Sequence, residues 1–122
     1  MRVFRRTFQI VYSNHNPVAD ILGDPDINCV VELMGGVTAA KDVVFRAIQT
    51  NKHVITANKA LIATFLPEIQ SLLKLHPGVQ FNYEAAVCGG IPIIHTLHTA
   101  YLGDTINKVC FSLLSSRSKI YS

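Results

Sequence analysis

A chain of 122 residues is enough for one small domain or for a piece of a larger one, and with 49% hydrophobic and 16% charged residues it is too apolar to be disordered. The net charge of +3 is mild, with Arg2, Arg5 and Arg6 near the start and Arg117 and Lys119 near the end. Without a basic stripe, stacking aromatics or a recognised module it argues against nucleic-acid binding, and no apolar run is long enough to span a bilayer.

In chain order, Val3 to Tyr12 is β-branched and aromatic enough to predict a strand. Ser13 to Pro17 forms a turn, with Asn16 placed to cap a short helix over Val18 to Leu22 that ends at Gly23. Ile27 to Leu33 predicts a buried strand, and Met34-Gly35-Gly36 turns the chain sharply at its tip. Thr38 is expected to cap a helix over Ala39 to Thr50, whose stripe of Ala40, Val43, Val44, Ala47 and Ile48 recurs at helical spacing. His53 to Thr56 is the next strand. The helical pattern from Lys59 to Leu75 contains Pro67, which predicts two segments, Lys59 to Ala63 and Pro67 to Leu75, with the proline opening the second. Val79 to Tyr83 is another short strand. A helix follows from Pro92 to Leu102, ended by Gly103, then a last strand from about Ile106 to Leu114 and a tail.

Strands and helices alternating across short connections predict a parallel, doubly wound α/β sheet with right-handed crossovers. The apolar excess fits strands buried on both faces, or faces meant to meet further chain. No G-x-G-x-x-G follows a strand. Either the chain binds no dinucleotide, or it begins after the phosphate-binding turn. Cys29, Cys88 and Cys110 fit neither a CxxC pair nor a zinc pattern, and their apolar neighbours predict small buried residues in a reducing compartment. The cytoplasm is the expected location, with the plastid as the alternative raised by the basic, acid-free start.

Two corners carry the chemistry. In the first, His53-Val54-Ile55-Thr56 ends at Ala57-Asn58-Lys59, with Asn58 able to cap the following helix. Lys59 stands where an open α/β sheet places its ligands, at the carboxyl end of a strand. A lone lysine in a first helical turn is ordinarily a solvated surface residue. The helix dipole disfavours a cation there, so its presence suggests an anionic partner such as a coenzyme phosphate or a substrate carboxylate. In the second corner, Glu84-Ala85-Ala86-Val87-Cys88-Gly89-Gly90 reads, on spacing alone, as a strand-to-helix turn with a helix-capping role. His95 and His98 share a helix face but find no third ligand.

Three blocks in order, Val30-Val31-Glu32-Leu33-Met34-Gly35-Gly36, Lys52 to Ala63, and Phe81 to Ile94 with its Glu84-Ala85-Ala86-Val87-Cys88-Gly89-Gly90-Ile91-Pro92 core, resemble homoserine dehydrogenase. The resemblance runs from about Asp20 to Val109 and lies nearer the stand-alone branch than the form fused to aspartokinase. It implies an α/β chain holding part of a Rossmann-type parallel sheet (1–84, the second half of a dinucleotide-binding domain) and the start of a second α/β catalytic and dimerisation domain (85–122). It also implies NADP or NAD as coenzyme and homoserine or aspartate 4-semialdehyde as substrate, in threonine, methionine and isoleucine biosynthesis. By the same resemblance, Lys59 lines the hydride-transfer site and touches coenzyme, Met34, Gly35 and Gly36 pass under the nicotinamide half, and Glu84, Val87, Gly89 and Ile91 offer oxygens, mostly main-chain carbonyls, to a sodium ion. A hard cation takes oxygen ligands, and a glycine turn can aim several carbonyls at one centre.

The departures from the family lie at the two ends. The glycine-rich loop is absent, and after Val109-Cys110 the family's glycine-x-x-asparagine-glycine-threonine-threonine-asparagine block gives way abruptly to Phe111-Ser112-Leu113-Leu114-Ser115-Ser116. That abruptness suggests a reading-frame or splice change. The chain is therefore expected to be a central portion of such an enzyme, inactive alone and prone to homo-oligomerise through sticky strand edges. A non-enzymatic truncated remnant or interaction module of the same fold is the alternative.

Overall fold

The computed structural model describes residues 17–108. Helix α1 spans Pro17–Gly23, strand β1 Cys29–Glu32, α2 Thr38–Gln49, β2 His53–Thr56, α3 Lys59–Leu75, β3 Phe81–Asn82 and α4 Ile93–Thr99, with a single 3₁₀ turn at Glu84–Ala86. The three strands form one sheet in the order β1-β2-β3. Both pairings are parallel, Cys29 to Glu32 facing His53 to Thr56, and Val54 and Ile55 facing Phe81 and Asn82. This is the partial Rossmann-type arrangement of alternating strands and helices expected from the sequence. The strand expected over Val3 to Tyr12 and its Asn16 cap lie outside the described residues. So does most of the strand expected over Ile106 to Leu114, whose first residues, 106–108, are irregular.

Alternation along the strands places Val30 and Glu32 of β1, and Val54 and Thr56 of β2, on one buried face. That face meets the stripe Ala40, Val43, Val44, Ala47 and Ile48 of α2 together with Leu61 and Ile69 of α3. The opposite face is open, and Val31 and Ile55 on it are 52% and 40% exposed. Of the two readings of the apolar excess, burial on both faces is thus not found for the described strands, because α2 and α3 cover the same side; faces meant to meet further chain is the other. A parallel sheet exposed this way leaves apolar surface in water.

Helix α2 starts one residue earlier than expected. Thr38 is its first residue, and Val37 stands at the N-cap without any side-chain cap bond. At its other end Asn51 takes a left-handed φ of 57°, while the amides of Asn51 and Lys52 bond back to the carbonyls of Ile48 and Ala47 at 2.9 Å each. This pair of bonds is a Schellman motif, which gives the last carbonyls of the helix their partners. Lys52, almost wholly buried, then sends its ammonium to the carbonyls of Asp24 and Ile27, 2.6 Å each. The loop before β1 is thereby pinned to the start of β2.

Pro67 does not divide α3. The helix is continuous from Lys59 to Leu75 with the proline inside it. Proline removes one N–H and with it the bond to the carbonyl four residues back, that of Ala63. Both Ala63 and Pro67 are exposed, so water can take up that carbonyl. Burial of Leu61 and Ile69 on the other side holds the helix together across the break. Lys41 of α2 adds a clamp, lying 4.0 Å from the Phe65 ring centroid and pairing with Glu68 at 2.9 Å.

Strand β3 is shorter than expected because the Val79 amide bonds to His76 and the Gln80 amide to the His53 ring nitrogen, neither in the ladder. Helix α4 also stops early. It has no fully buried residue, and Ala100, Tyr101 and Leu102 beyond it are exposed, so little packing carries the helix through Leu102. Replacing Pro67 by alanine restores the missing N–H, and P67A is expected to stabilise the chain by about 2 kcal/mol, after allowing for the stiffness proline lends the unfolded state. A rise in the urea midpoint at unchanged slope is the measurement; no rise would mean that the helix is already broken there.

Candidate functional site

Because all three strands are parallel, the chain leaves each of them at the same edge of the sheet. Three corners therefore share that edge: Leu33 to Val37 after β1, Ala57 and Asn58 after β2, and Tyr83 to Pro92 after β3. In open parallel sheets this carboxyl edge is where ligands bind.

The first two corners are tied together by a buried polar knot. Glu32 is only 2% exposed, and its carboxylate accepts hydrogen bonds from the Thr56 hydroxyl at 2.6 Å and the Met34 amide at 2.7 Å, with the Asn58 side-chain amide at the outer limit of 3.5 Å. Asn58 works in three directions. Its side-chain oxygen accepts from the Leu61 amide at 3.0 Å, capping α3, and its side-chain nitrogen donates to the carbonyls of Gly36 at 2.7 Å and Met34 at 3.1 Å. Its own amide donates to Thr56 Oγ1 at 3.0 Å. Among the described residues no buried side-chain nitrogen or oxygen lacks a partner. The capping role of Asn58 follows from the sequence; the knot around Glu32 does not. Its signal was a carboxylate two residues after Val30, and hence on the same buried face, where a charge requires several donors.

The knot sets the residues expected to meet a coenzyme side by side. Gly36 takes a left-handed φ of 76°, the freedom expected of the glycine pair, while Gly35 does not. Met34 is partly exposed at the rim. Lys59, the first residue of α3, is exposed, and its ammonium makes no hydrogen bond or ion pair among the described residues. A cavity of about 240 Å³ lies on the other side of β1, lined by Val18, Ile21, Val30, Met34 and Val43, and does not reach Lys59.

In the third corner the Glu84 carboxylate caps α4, one oxygen accepting from the Ile94 amide and the other from the His95 amide, 2.8 Å each. Its side chain is thus engaged in the helix-capping role that spacing alone suggested. Cys88 and Gly89 both take positive φ, 56° and 60°, so the loop turns back on itself. The carbonyl of Glu84 accepts from the Val87 amide at 3.0 Å and that of Ile91 from the Ile93 amide at 2.8 Å, whereas those of Val87 and Gly89 accept none among the described residues. The loop thus offers oxygen donors, the kind a hard cation takes. Among the described residues no group of three or more His, Cys, Asp or Glu side chains could hold a metal. His95 and His98 are exposed.

The cysteines depart from expectation. Cys29 and Cys88 are exposed and free, Cys29 because it falls on the open sheet face and Cys88 because it sits at the loop's tip; Cys110 lies outside the described residues.

The sequence model describing the NAD-binding domain of homoserine dehydrogenase matches residues 12–83. The chain belongs to the homoserine dehydrogenase family. A homoserine dehydrogenase from Synechocystis is 45% identical over 102 residues, 84% of this chain but 23% of that relative. One from Bacillus subtilis is 40% identical over 92 residues, 75% of this chain and 21% of the relative. Among solved structures, the homoserine dehydrogenase of Thiobacillus denitrificans superposes with a TM-score of 0.67 at 44% identity, covering 70% of this chain and 20% of that one. A putative homoserine dehydrogenase from Archaeoglobus fulgidus gives 0.59 at 26% identity, over 76% and 28%. The chain thus spans less than a quarter of the curated homoserine dehydrogenases it matches here. Its fold is that of a nicotinamide-coenzyme domain of this family, and among the described residues no helix is long and apolar enough to cross a membrane.

Two outcomes follow from this geometry. Asn58→Ala removes a helix cap and strips donors from two loop carbonyls and an acceptor from the Leu61 amide, so a loss of about 2–4 kcal/mol in chemical denaturation is expected. Desolvation by burial raises the Cys29 thiol above its ordinary pKa. Since the thiolate is the reactive form, alkylation of Cys29 by iodoacetamide should be slow at about pH 8 and should quicken as pH rises further. Peptide mapping by mass spectrometry reads each site separately.

Proposed function

We propose that this chain supplies the coenzyme-facing centre of a homoserine dehydrogenase, an NAD(P)-dependent oxidoreductase interconverting homoserine and aspartate 4-semialdehyde in threonine, methionine and isoleucine biosynthesis. The observation that carries this reading is the Asn58 side chain bonded to both Met34 and Gly36, which sets the glycine loop beside Lys59 at the carboxyl edge of the sheet. Residues 1–84 form the second half of the dinucleotide-binding domain and 85–122 begin the catalytic and dimerisation domain. The family match ending at Tyr83, immediately before the 3₁₀ turn, supports that boundary.

The nicotinamide ring, when bound, supplies the hydride acceptor or donor. Met34, Gly35 and Gly36 form the surface under it, where a small side chain or none lets the ring approach the main chain. Lys59 contacts coenzyme and holds positive charge toward the oxygen that gains negative charge as hydride moves. Its ammonium, without a partner among the described residues, stands at a helix N-terminus, a position that disfavours cations, and this supports an anionic partner. Sodium, if bound, would be held by the main-chain oxygens of Glu84, Val87, Gly89 and Ile91. The unengaged carbonyls of Val87 and Gly89 support this, and the Glu84 side chain takes no part because both its oxygens cap α4. The ion would fix the loop at the domain boundary.

The polypeptide of 122 residues, taken alone, does not turn over. Reduction needs a proton donor for the alkoxide, and Glu32, the buried acid beside this corner, has both oxygens engaged in the interior. Exposed Val31, Leu33 and Ile55 support homo-oligomerisation, and two exposed free thiols fit a reducing compartment such as the cytoplasm, the plastid being the alternative. A truncated, non-enzymatic remnant is the second reading, favoured by that open sheet face.

Titration of the purified chain with NADPH and NADH, followed by coenzyme fluorescence, separates the two. Binding in the micromolar range that weakens about tenfold in Lys59→Ala is expected for a residual site. Absence of binding would leave the remnant. Homoserine with either oxidised coenzyme at alkaline pH should give no absorbance change at 340 nm (the reduced-coenzyme band). A coenzyme-dependent rate would overturn the claim of inactivity.

A further inference from the structure

We infer that Glu32 is a positioning residue that makes the Met34–Gly36 loop and the Asn58–Lys59 corner one mechanical unit, so that a ligand ordering either corner orders both. The inference rests on the reading of this edge as coenzyme-facing, but its mechanical part does not.

Glu32 and Thr56 are register partners at the last paired position of β1 and β2, so their side chains emerge together on the buried face. One carboxylate oxygen takes the Thr56 hydroxyl, on the second corner, and the other takes the Met34 amide, on the first. The Thr56 hydroxyl in turn accepts from the Asn58 amide, and the Asn58 side chain returns to the carbonyls of Met34 and Gly36. The bonds close a ring: Met34, Glu32, Thr56, Asn58, and back to Met34. No backbone ladder joins these two loops beyond the Ala57 amide bond to the Glu32 carbonyl at 3.3 Å. The side-chain ring is therefore the main link between them. Its bonds at Thr56 are buried, where a hydrogen bond is strong and an unpaired partner is disfavoured, and those to the Met34–Gly36 loop are part-buried. Release of one bond leaves the others without their geometry, and the two corners loosen together.

The position of the charge matters as well as its bonds. A carboxylate is acceptor-only and offers both oxygens to donors, which suits two donors arriving from two loops. Glutamine keeps one acceptor and turns the other position into a donor facing the Thr56 hydroxyl. Glu32→Gln thus fits the space while weakening one side of the ring. Thr56→Val, nearly the same shape, breaks the ring from the other corner and touches no residue of the glycine loop directly.

Amide hydrogen exchange on the purified chain tests the mechanical part. In Thr56→Val, exchange at Met34 to Gly36 should quicken about tenfold together with exchange at residues 57 to 61, while Val44, Ile48 and Ile69 keep their protection. Glu32→Gln should give the same paired response. Quickening confined to the corner carrying the substitution, with the core intact, would overturn the inference. NADH titration followed by amide chemical shifts tests the functional part. In the unaltered chain both corners should shift with one dissociation constant, and in either variant the curves should separate or the affinity fall by about tenfold. Equal affinity and a single curve in both variants would show that the ring is structural only. A chain that binds no coenzyme but shows paired exchange would sink the coenzyme reading and leave the coupling standing.

Discussion

A carboxylate cannot be buried unless donors meet it, and this fold is arranged so that the donors come from elsewhere in the chain. Glu32 ends β1 on the covered face of the sheet. The groups that satisfy it belong to the turn after it and to the end of β2. The need to satisfy one acid therefore fixes the register of β1 against β2 at its carboxyl end, the path of the glycine turn and the starting point of α3. Replacing such a knot with apolar packing could be neutral for stability, but it would discard the alignment of the two loops.

Much of this architecture was legible in the sequence. Helix α2 and strand β2 fell close to where their periodicity placed them, since an unbroken stripe from Ala40 to Ile48 admits one packing face and His53 to Thr56 is bounded by turns on both sides. Asn58 was readable as a cap because its side chain acts on the residue three places on, a local relation. What escaped was non-local. Glu32 lies 24 residues from Thr56, and nothing in the spacing of either announces the other. Pro67 misled for a different reason. Its local rule was sound, but burial on the far side of α3 outweighed it.

In the third corner one motif drew two readings, and the side-chain bonds answer to one of them. Glu84 was marked both as a metal position by resemblance and as a capping residue by spacing. Its side chain does the second, since each oxygen receives one amide of α4, while its main-chain carbonyl already accepts from the Val87 amide. Side chain and backbone act separately, so the cap says nothing about what the carbonyl binds. Sequence cannot assign them, as any residue type presents the same carbonyl.

Cys88 stands beside Gly89, and both have left-handed backbones. Any Cβ is strained in that region, by roughly 1–2 kcal/mol, cysteine's included, whereas glycine enters it freely and asparagine or aspartate more readily than most. Drift at this position is therefore filtered by shape before any chemistry is weighed. Asparagine or glycine at this position would hold the same bend with less strain than the cysteine does.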